Sequence, residues 1–246
     1  MADYKCENVK PYDESKGKKE QVEQMFDAIA DNYDPMNKLM SLGNDKAWRR
    51  EAIDSLKGCA PKRILDVATG TGDLAIMANE RLCPDSVVGI DISEGMLNVG
   101  RKKIADMGLD DVIELRVGDS TALEFADGSF DAVTVAFGVR NFENLAKGLS
   151  EMCRVLRPGG VAAILELSEP SNWFFKLGYK FYTKVVIPVF AKLLSKDTQA
   201  YVYLPQSIEA FPQGEEMKAL LKNCGFSEVK VQTFTLGTCS FYYAKK

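Results

Sequence analysis

A chain of 246 residues with 46% hydrophobic and 27% charged side chains can bury the core of one soluble domain, but is short for two. Its net charge of −4, from 31 basic and 35 acidic residues, lacks the basic excess of a nucleic-acid binder, so no nucleic-acid partner is expected. There is no histidine, and the six cysteines are scattered without a CxxC pair; this removes imidazole bases and His-ligated metals, and leaves no metal site or disulfide framework to expect.

Residues 1–19 mix acids, bases and proline and read as a flexible, solvated lead-in. They carry no apolar stretch, so neither a signal nor a transit peptide is expected, and the location is read as cytoplasmic. Residues 20–246 read as one domain. Val22, Met25, Phe26 and Ile29 recur at helical spacing and predict a helix from about Glu20 to Asn32. YDPMN breaks it, and a second helix is predicted from Asp45 to Leu56, ahead of Gly58 and Pro61, so that residues 20–57 form an N-terminal helical segment. Then RILDV reads as a buried strand, followed by a Gly-rich turn and a helix over Leu74–Leu82. The strands SVVGID, VIELRVG and DAVTVAF follow, with SEGMLNVGRKKIADM as a helix between the first two. A helix through Glu143–Leu156 then precedes Pro158-Gly159-Gly160 and the strand VAAILEL. Strands alternating with helices predict βαβ units and a parallel sheet covered on both faces. Beyond Pro170 the alternation stops: residues 171–212 read as a helical insertion capping the substrate, Gly214–Asn223 as a helix, and SEVKVQTFT with TCSFYYAKK as a hairpin.

The turn Gly70-Thr71-Gly72 follows a strand and opens a helix, where glycines let the backbone turn sharply and approach a ligand. With Ala75 the spacing satisfies G-x-G-x-x-G/A, so a dinucleotide is a rival occupant, and a tight turn with no ligand is a third reading. Asp91 ends the second strand, placed to accept both hydroxyl protons of a ribose that either cofactor carries; alternatively it is only an acid at a helix N-terminus. Asp66 in the first strand and Asp73 after the second glycine complete a carboxylate-rich rim. Such a rim suits the sulfonium and ammonium of S-adenosylmethionine and repels a pyrophosphate. Asp119-Ser120, after the third strand, adds a pair able to accept from an adenine amino group.

ILDVATGTGD, GIDIS, GDSTALEFADGSFDAV and LRPGG resemble, in order and spacing, the motifs of class I S-adenosylmethionine-dependent methyltransferases. The resemblance implies a Rossmann-like α/β fold, a seven-stranded, mostly parallel sheet with an antiparallel last strand. It implies S-adenosylmethionine as cofactor, with Asp66, Gly70, Thr71, Gly72, Asp91, Asp119, Ser120 and Ala136 as the binding set. YDPMNKLMSLGNDKAWRR, RVLRPGGVAAILELSEP, AFGVRNF and TFTLGTCSFYYAKK further resemble the ubiquinone/menaquinone biosynthesis C-methyltransferases, over roughly residues 20–246. Asp45 stands where that family's S-x-G-x-H-x-x-W pattern has His, and Arg157 where it usually has Lys. The implied reaction is C-methylation of a reduced polyprenyl quinone precursor, with demethylmenaquinol favoured by the family's wider bacterial use. Arg140 and Asn141 fall on the family's VRN-type catalytic motif, and Tyr33, Asp34 and Asn37 on the first signature, where Tyr33 and Asn37 are candidate substrate contacts.

The chemistry gives Arg140 a role of its own. Methylating a ring carbon needs electron density there, so a hydroquinone hydroxyl must lose or share its proton as the carbon attacks. A guanidinium is no base, but in a loop after the fourth strand it can hold a phenolate or a water. The competing reading is an Arg that merely caps a nearby carboxylate.

Residues 173–194 are bulky and aromatic but carry Lys176, Lys180, Lys184, Lys192 and Pro188, which argues against a membrane span. Lysines four apart share one helical face. This fits an interfacial helix meeting an isoprenoid tail and anionic headgroups at the inner face of the membrane, and equally a helix packed on the core with its lysines in solvent. Other acceptors on the same fold, a dinucleotide oxidoreductase and an inactive binding module are the alternatives; homo-oligomerisation is left open.

Overall fold

The computed structural model describes residues 4–187 and 197–246. Seven strands, Arg63–Val67 (β1), Ser86–Asp91 (β2), Ile113–Val117 (β3), Phe130–Ala136 (β4), Leu156–Leu167 (β5), Glu228–Phe234 (β6) and Cys239–Lys245 (β7), form one sheet in the order β3-β2-β1-β4-β5-β7-β6. All neighbours pair parallel except β7, which runs antiparallel to both β5 and β6, as the resemblance implies. The hydrophobic runs of β1 and β4 are buried on both faces: Leu65, Val67, Val133 and Val135 enter one core, Ile64 and Ala132 the other. Burying each such side chain contributes about 1.5–3 kcal/mol. Because β2 and β4 flank β1, the chain winds away in opposite directions from β1, and this opens a crevice at the carboxyl ends of β1 and β4.

The helices follow as Lys5–Asn8 (α1), Lys18–Ile29 (α2), Tyr33–Met40 (α3), Asp45–Asp54 (α4), Asp73–Leu82 (α5), Glu94–Asp106 (α6), Leu145–Val155 (α7), Trp173–Phe181 (α8), Gln199–Ala210 (α9) and Glu215–Asn223 (α10). Side-chain caps start three of them: Ser93 accepts from the Met96 amide at 3.1 Å, Asn144 from Lys147 at 2.9 Å and Asn172 from Phe174 at 3.0 Å.

Three local expectations change. YDPMN does not simply break a helix; Tyr33 begins α3, because Pro35 falls in its first turn, where a missing N–H costs nothing. The lead-in read as solvated instead packs on the domain: Cys6 is fully buried, and Glu7 Oε1 accepts the Leu145 amide at 2.7 Å. The Pro158-Gly159-Gly160 segment lies inside β5 rather than ahead of it, with an irregularity in register between Phe130 and Ala132 of β4. A third apolar cluster, including Met25, Ile29, Met36, Ile187 and Tyr203, joins the α2–α3 arm to α9, so the insertion sits over the same end of the sheet as the arm.

Candidate active site

At the end of β1 the backbone enters the left-handed region three times within five residues, at Ala68 (φ 52°), Gly70 (φ 57°) and Gly72 (φ 80°), and this turns the chain sharply into α5. Ala68 and Phe137 (φ 63°) are non-glycine residues held in this costly conformation at the mouth of the crevice. They lie close together around Gly138, where an added Cβ would stand 2.5 Å from the Ala68 Cβ.

Asp91 ends β2 with its carboxylate fixed by two backbone amides, Gly70 at 2.8 Å on Oδ2 and Ser93 at 2.9 Å on Oδ1. Burial pushes this carboxyl up to about 6. It lines a cavity of about 70 Å³ together with Gly70, Asp119, Ser120, Ala136 and Asn141. Asp119 receives Lys19 Nζ at 2.6 Å and the Thr121 amide and hydroxyl at 2.8 Å each. Burial raises its carboxyl, but these bonds outweigh it and hold the group below its usual value.

The remaining members of the expected cofactor set lie off this wall. Asp66 is buried under the turn and accepts the Thr69 and Thr134 hydroxyls at 2.6 Å each; burial pushes it up to about 6. It braces the turn from below. Thr71 donates to Asp34 Oδ1 at 2.7 Å, and Lys103 Nζ bridges Asp34 at 2.8 Å and Asp73 at 2.6 Å, so this part of the acidic rim latches α3 to the sheet. Gly72 caps α5. A second latch holds α2: Asp27 Oδ1 accepts the Ser93 hydroxyl at 2.6 Å and the Gly95 amide at 2.9 Å.

A larger cavity of about 220 Å³ lies beside the first and shares Phe26, Tyr33 and Phe137 with it. Its wall is mostly apolar and aromatic, with Met25, Met36, Trp48, Tyr179, Tyr203 and Asn37 among its members. Burial pushes the phenols of Tyr33, Tyr179 and Tyr203 up, so they stay protonated donors. Arg140 lines this cavity from a short 3₁₀ turn, Val139–Asn141, and is 6% exposed. One terminal nitrogen donates to Glu166 Oε1 at 2.6 Å, so the capping role considered from the sequence is real. Yet Arg140 Nε, also buried, has no hydrogen-bond partner among the described residues. A buried N–H without a partner is costly and singles this side chain out. Asn141 faces the smaller cavity and accepts the Tyr203 hydroxyl at 3.0 Å, so Arg140 and Asn141 stand one on each side of the shared wall.

Sequence reasoning missed Lys18, Glu166 and Phe137. Lys18 is 1% exposed and donates to the Arg140 carbonyl at 2.8 Å and the Cys6 carbonyl at 2.7 Å; burial lowers its amine to about 8. No signal in the run KGKKE marks it out, whereas Phe137 stands within AFGVRNF and Glu166 within ILEL.

The insertion helix turns its lysines and its aromatics to different sides. Lys176 pairs with Glu169 at 2.6 Å and Lys180 with Glu209 at 3.1 Å, so the lysines turn towards acids of the domain. Trp173 (76% exposed), Phe174 (65%), Leu177 (66%) and Phe181 (63%) face outward instead. Over α8 the outward face is therefore aromatic, and the two lysines are ion-paired while still 41% and 34% exposed. The helix continues as a π-helical turn over Tyr182–Val186. Pro188, Lys192 and the side chain of Lys184 lie outside the described residues. No described helix is long and apolar enough to cross a membrane.

The chain is 54% identical to a demethylmenaquinone methyltransferase of Bacteroides fragilis over 99% of both chains. It is 43% identical to a ubiquinone/menaquinone biosynthesis C-methyltransferase UbiE of Geobacter sulfurreducens over 93% of this chain and 90% of that one. Among solved structures it resembles the [4+2]-cyclase SpnF (TM-score 0.68, 15% identity, 93% and 96% covered). It also resembles a Thermotoga maritima S-adenosylmethionine-dependent methyltransferase (TM-score 0.62, 18% identity, 91% and 99% covered); at such identities these two speak for the fold alone. Residues 14–246 match the model of the ubiE/COQ5 methyltransferase family. With the sheet order, the Asp91 cavity and near full-length relatives in agreement, the chain belongs to the ubiE/COQ5 methyltransferase family.

Proposed function

We propose that the protein transfers the methyl group of S-adenosylmethionine to a ring carbon of demethylmenaquinol, with Arg140 holding the reacting oxygen. The observation that carries this reading is the buried Arg140 among the lining residues of an apolar cavity, its Nε unpartnered among the described residues, next to a second cavity that holds Asp91. The relatives' names give the acceptor its identity.

The polar groups of the smaller cavity support assigning the cofactor to it. The Asp91 carboxylate, already oriented by two amides, keeps lone pairs for ribose hydroxyls, and Asp119 and Ser120 supply polar contacts further along the wall. When bound, S-adenosylmethionine supplies an activated, electrophilic methyl group. The chain supplies the rest. Phe26, Tyr33 and Phe137 exclude water from the junction and fix the approach of the ring carbon, an alignment worth up to several kcal/mol. Arg140 stabilises the oxyanion that forms as the quinol hydroxyl gives up its proton; the ring carbon gains the methyl and then loses its own hydrogen as a proton. With no histidine in the chain, that proton leaves to water or to a carboxylate, and the oxyanion takes up a proton to restore the quinol, so that one proton is released overall.

The outward aromatic face of α8 supports peripheral contact with the inner face of the membrane, where a polyprenyl substrate resides. In this reading residues 171–187 and 197–212 cap the substrate, and the catalytic work stays on the cytoplasmic side.

The test is single-turnover transfer from labelled S-adenosylmethionine to reduced demethylmenaquinone in detergent, with Asp91→Ala and Arg140→Ala beside the wild type. Loss of transfer in Arg140→Ala with cofactor binding intact is expected. Wild-type protein that binds cofactor but methylates no reduced quinone would overturn the reading.

A further inference from the structure

The larger cavity carries one carboxylate and one cation among its described lining residues, Asp45 and Arg140. Asp45 begins α4, and its side chain is 14% exposed. Both of its oxygens are held: Ser41 Oγ donates to Oδ1 at 2.6 Å, and the Arg49 guanidinium pairs with Oδ2. Each oxygen retains a second lone pair, so the group is oriented but not exhausted as an acceptor. Arg49 is fixed in turn, its guanidinium carbon 5.3 Å from the centroid of Phe137, the ring shared by the two cavities.

A 1,4-hydroquinone carries two hydroxyls on opposite sides of its ring. If Arg140 takes the oxygen that becomes anionic, the remaining hydroxyl needs an acceptor elsewhere, and in a wall whose other polar side chains are neutral amides and hydroxyls Asp45 is the one anionic acceptor among the described lining residues. A carboxylate accepts a hydrogen bond from a hydroxyl, but meets the carbonyl of an oxidised quinone lone pair to lone pair. We infer that Asp45 accepts the hydrogen bond of the second quinol hydroxyl and is thereby the residue that selects the reduced ring over the oxidised one. This inference rests on the quinol reading of the preceding subsection. Ser41 and Arg49 are positioning residues for it.

The measurement is equilibrium binding of a short-chain demethylnaphthoquinol, and separately of its quinone, to the full-length protein. It is made anaerobically, with S-adenosylhomocysteine present so that no turnover occurs. Wild type is expected to favour the quinol. Asp45→Asn, whose amide can donate to a carbonyl, is expected to reduce that preference about tenfold or more, the worth of one charge-assisted hydrogen bond. Arg49→Lys keeps the carboxylate and a cation beside it and is expected to retain the preference. The inference is overturned if Asp45→Asn discriminates like wild type, or if Arg49→Lys loses discrimination equally, since the pair would then act only through Phe137. Failure of wild type to bind either ring would overturn the quinol reading itself. A folded Asp45→Asn protein is verified by unchanged S-adenosylhomocysteine affinity; should that variant not fold, Asp45→Ala takes its place under the same two ligands, and wild-type discrimination in a folded Asp45→Ala would overturn the inference.

Discussion

Removing the Lys18 amine tests whether a buried cation holds the Arg140 turn in place. In Lys18→Met the chain length is nearly kept, while the hydrogen bonds to the Arg140 and Cys6 carbonyls, at 2.8 and 2.7 Å, are lost. Two buried carbonyls are left short of a donor, at about 1–3 kcal/mol each. Against that, burial has lowered the amine from 10.5 to about 8, so its charge at neutral pH costs about 3 kcal/mol, which methionine does not incur. At pH 7 the two effects largely offset, and a net loss of about 0–3 kcal/mol is expected. The pH dependence is sharper. A lysine with a depressed folded pKa binds fewer protons folded than unfolded between about 8 and 10.5, so wild-type stability rises with pH across that window. Between pH 7 and pH 9 this contributes about 1.3 kcal/mol that Lys18→Met cannot gain. Urea unfolding of both proteins at the two pH values should therefore show the gap widening by about that amount. A gap unchanged with pH would refute the reasoning, because the amine would then carry no burial cost.

In the proposed ribose role Asp91, raised to about 6, accepts as a carboxylate only above that pH; cofactor affinity is expected to fall as pH drops through about 6, and a flat profile in Asp91→Asn by calorimetry checks the assignment. Arg140→Lys keeps a charge but loses the planar fork, and kcat should fall by about 100-fold or more with cofactor affinity unchanged, as measured by single-turnover transfer. Replacing Trp173, Leu177 and Phe181 by serine should abolish flotation with anionic vesicles while leaving methylation of a short-chain quinol in solution intact. Asp34→Ala frees Thr71 and Lys103 together, so the cofactor should dissociate faster by stopped flow.

The sheet was legible because its strands are bounded on both sides and its central strands β1 and β4 are buried on both faces; SVVGID, for example, is the observed β2. The turn at Gly70 and the acid at Asp91 were legible for a local reason: a backbone that must go left-handed selects glycine, and a strand end points its acid at the crevice. Long-range partners were not. Asp66 and Asp91 both stand at strand ends near the turn, yet one is consumed by two threonines and the other faces the cavity. That difference depends on Thr134, a residue of β4 that sequence spacing does not bring near. Lys18 reads as a surface lysine because nothing local says that Arg140 presents a carbonyl to it. The face of α8 was undetermined for the same reason: the acids that capture its lysines, Glu169 and Glu209, come from flanking segments.

The arm formed by α2 and α3 contributes Phe26 and Tyr33 to both cavities at once and is tied down by Asp27 and Asp34. Two ligands that press on one shared wall are thermodynamically linked. Whichever of them orders the arm first lowers the entropy cost met by the other, and the factor gained is the same in either direction. Quinol should thus tighten cofactor binding as much as cofactor tightens quinol, and departure of the methylated ring should loosen the grip on the spent cofactor.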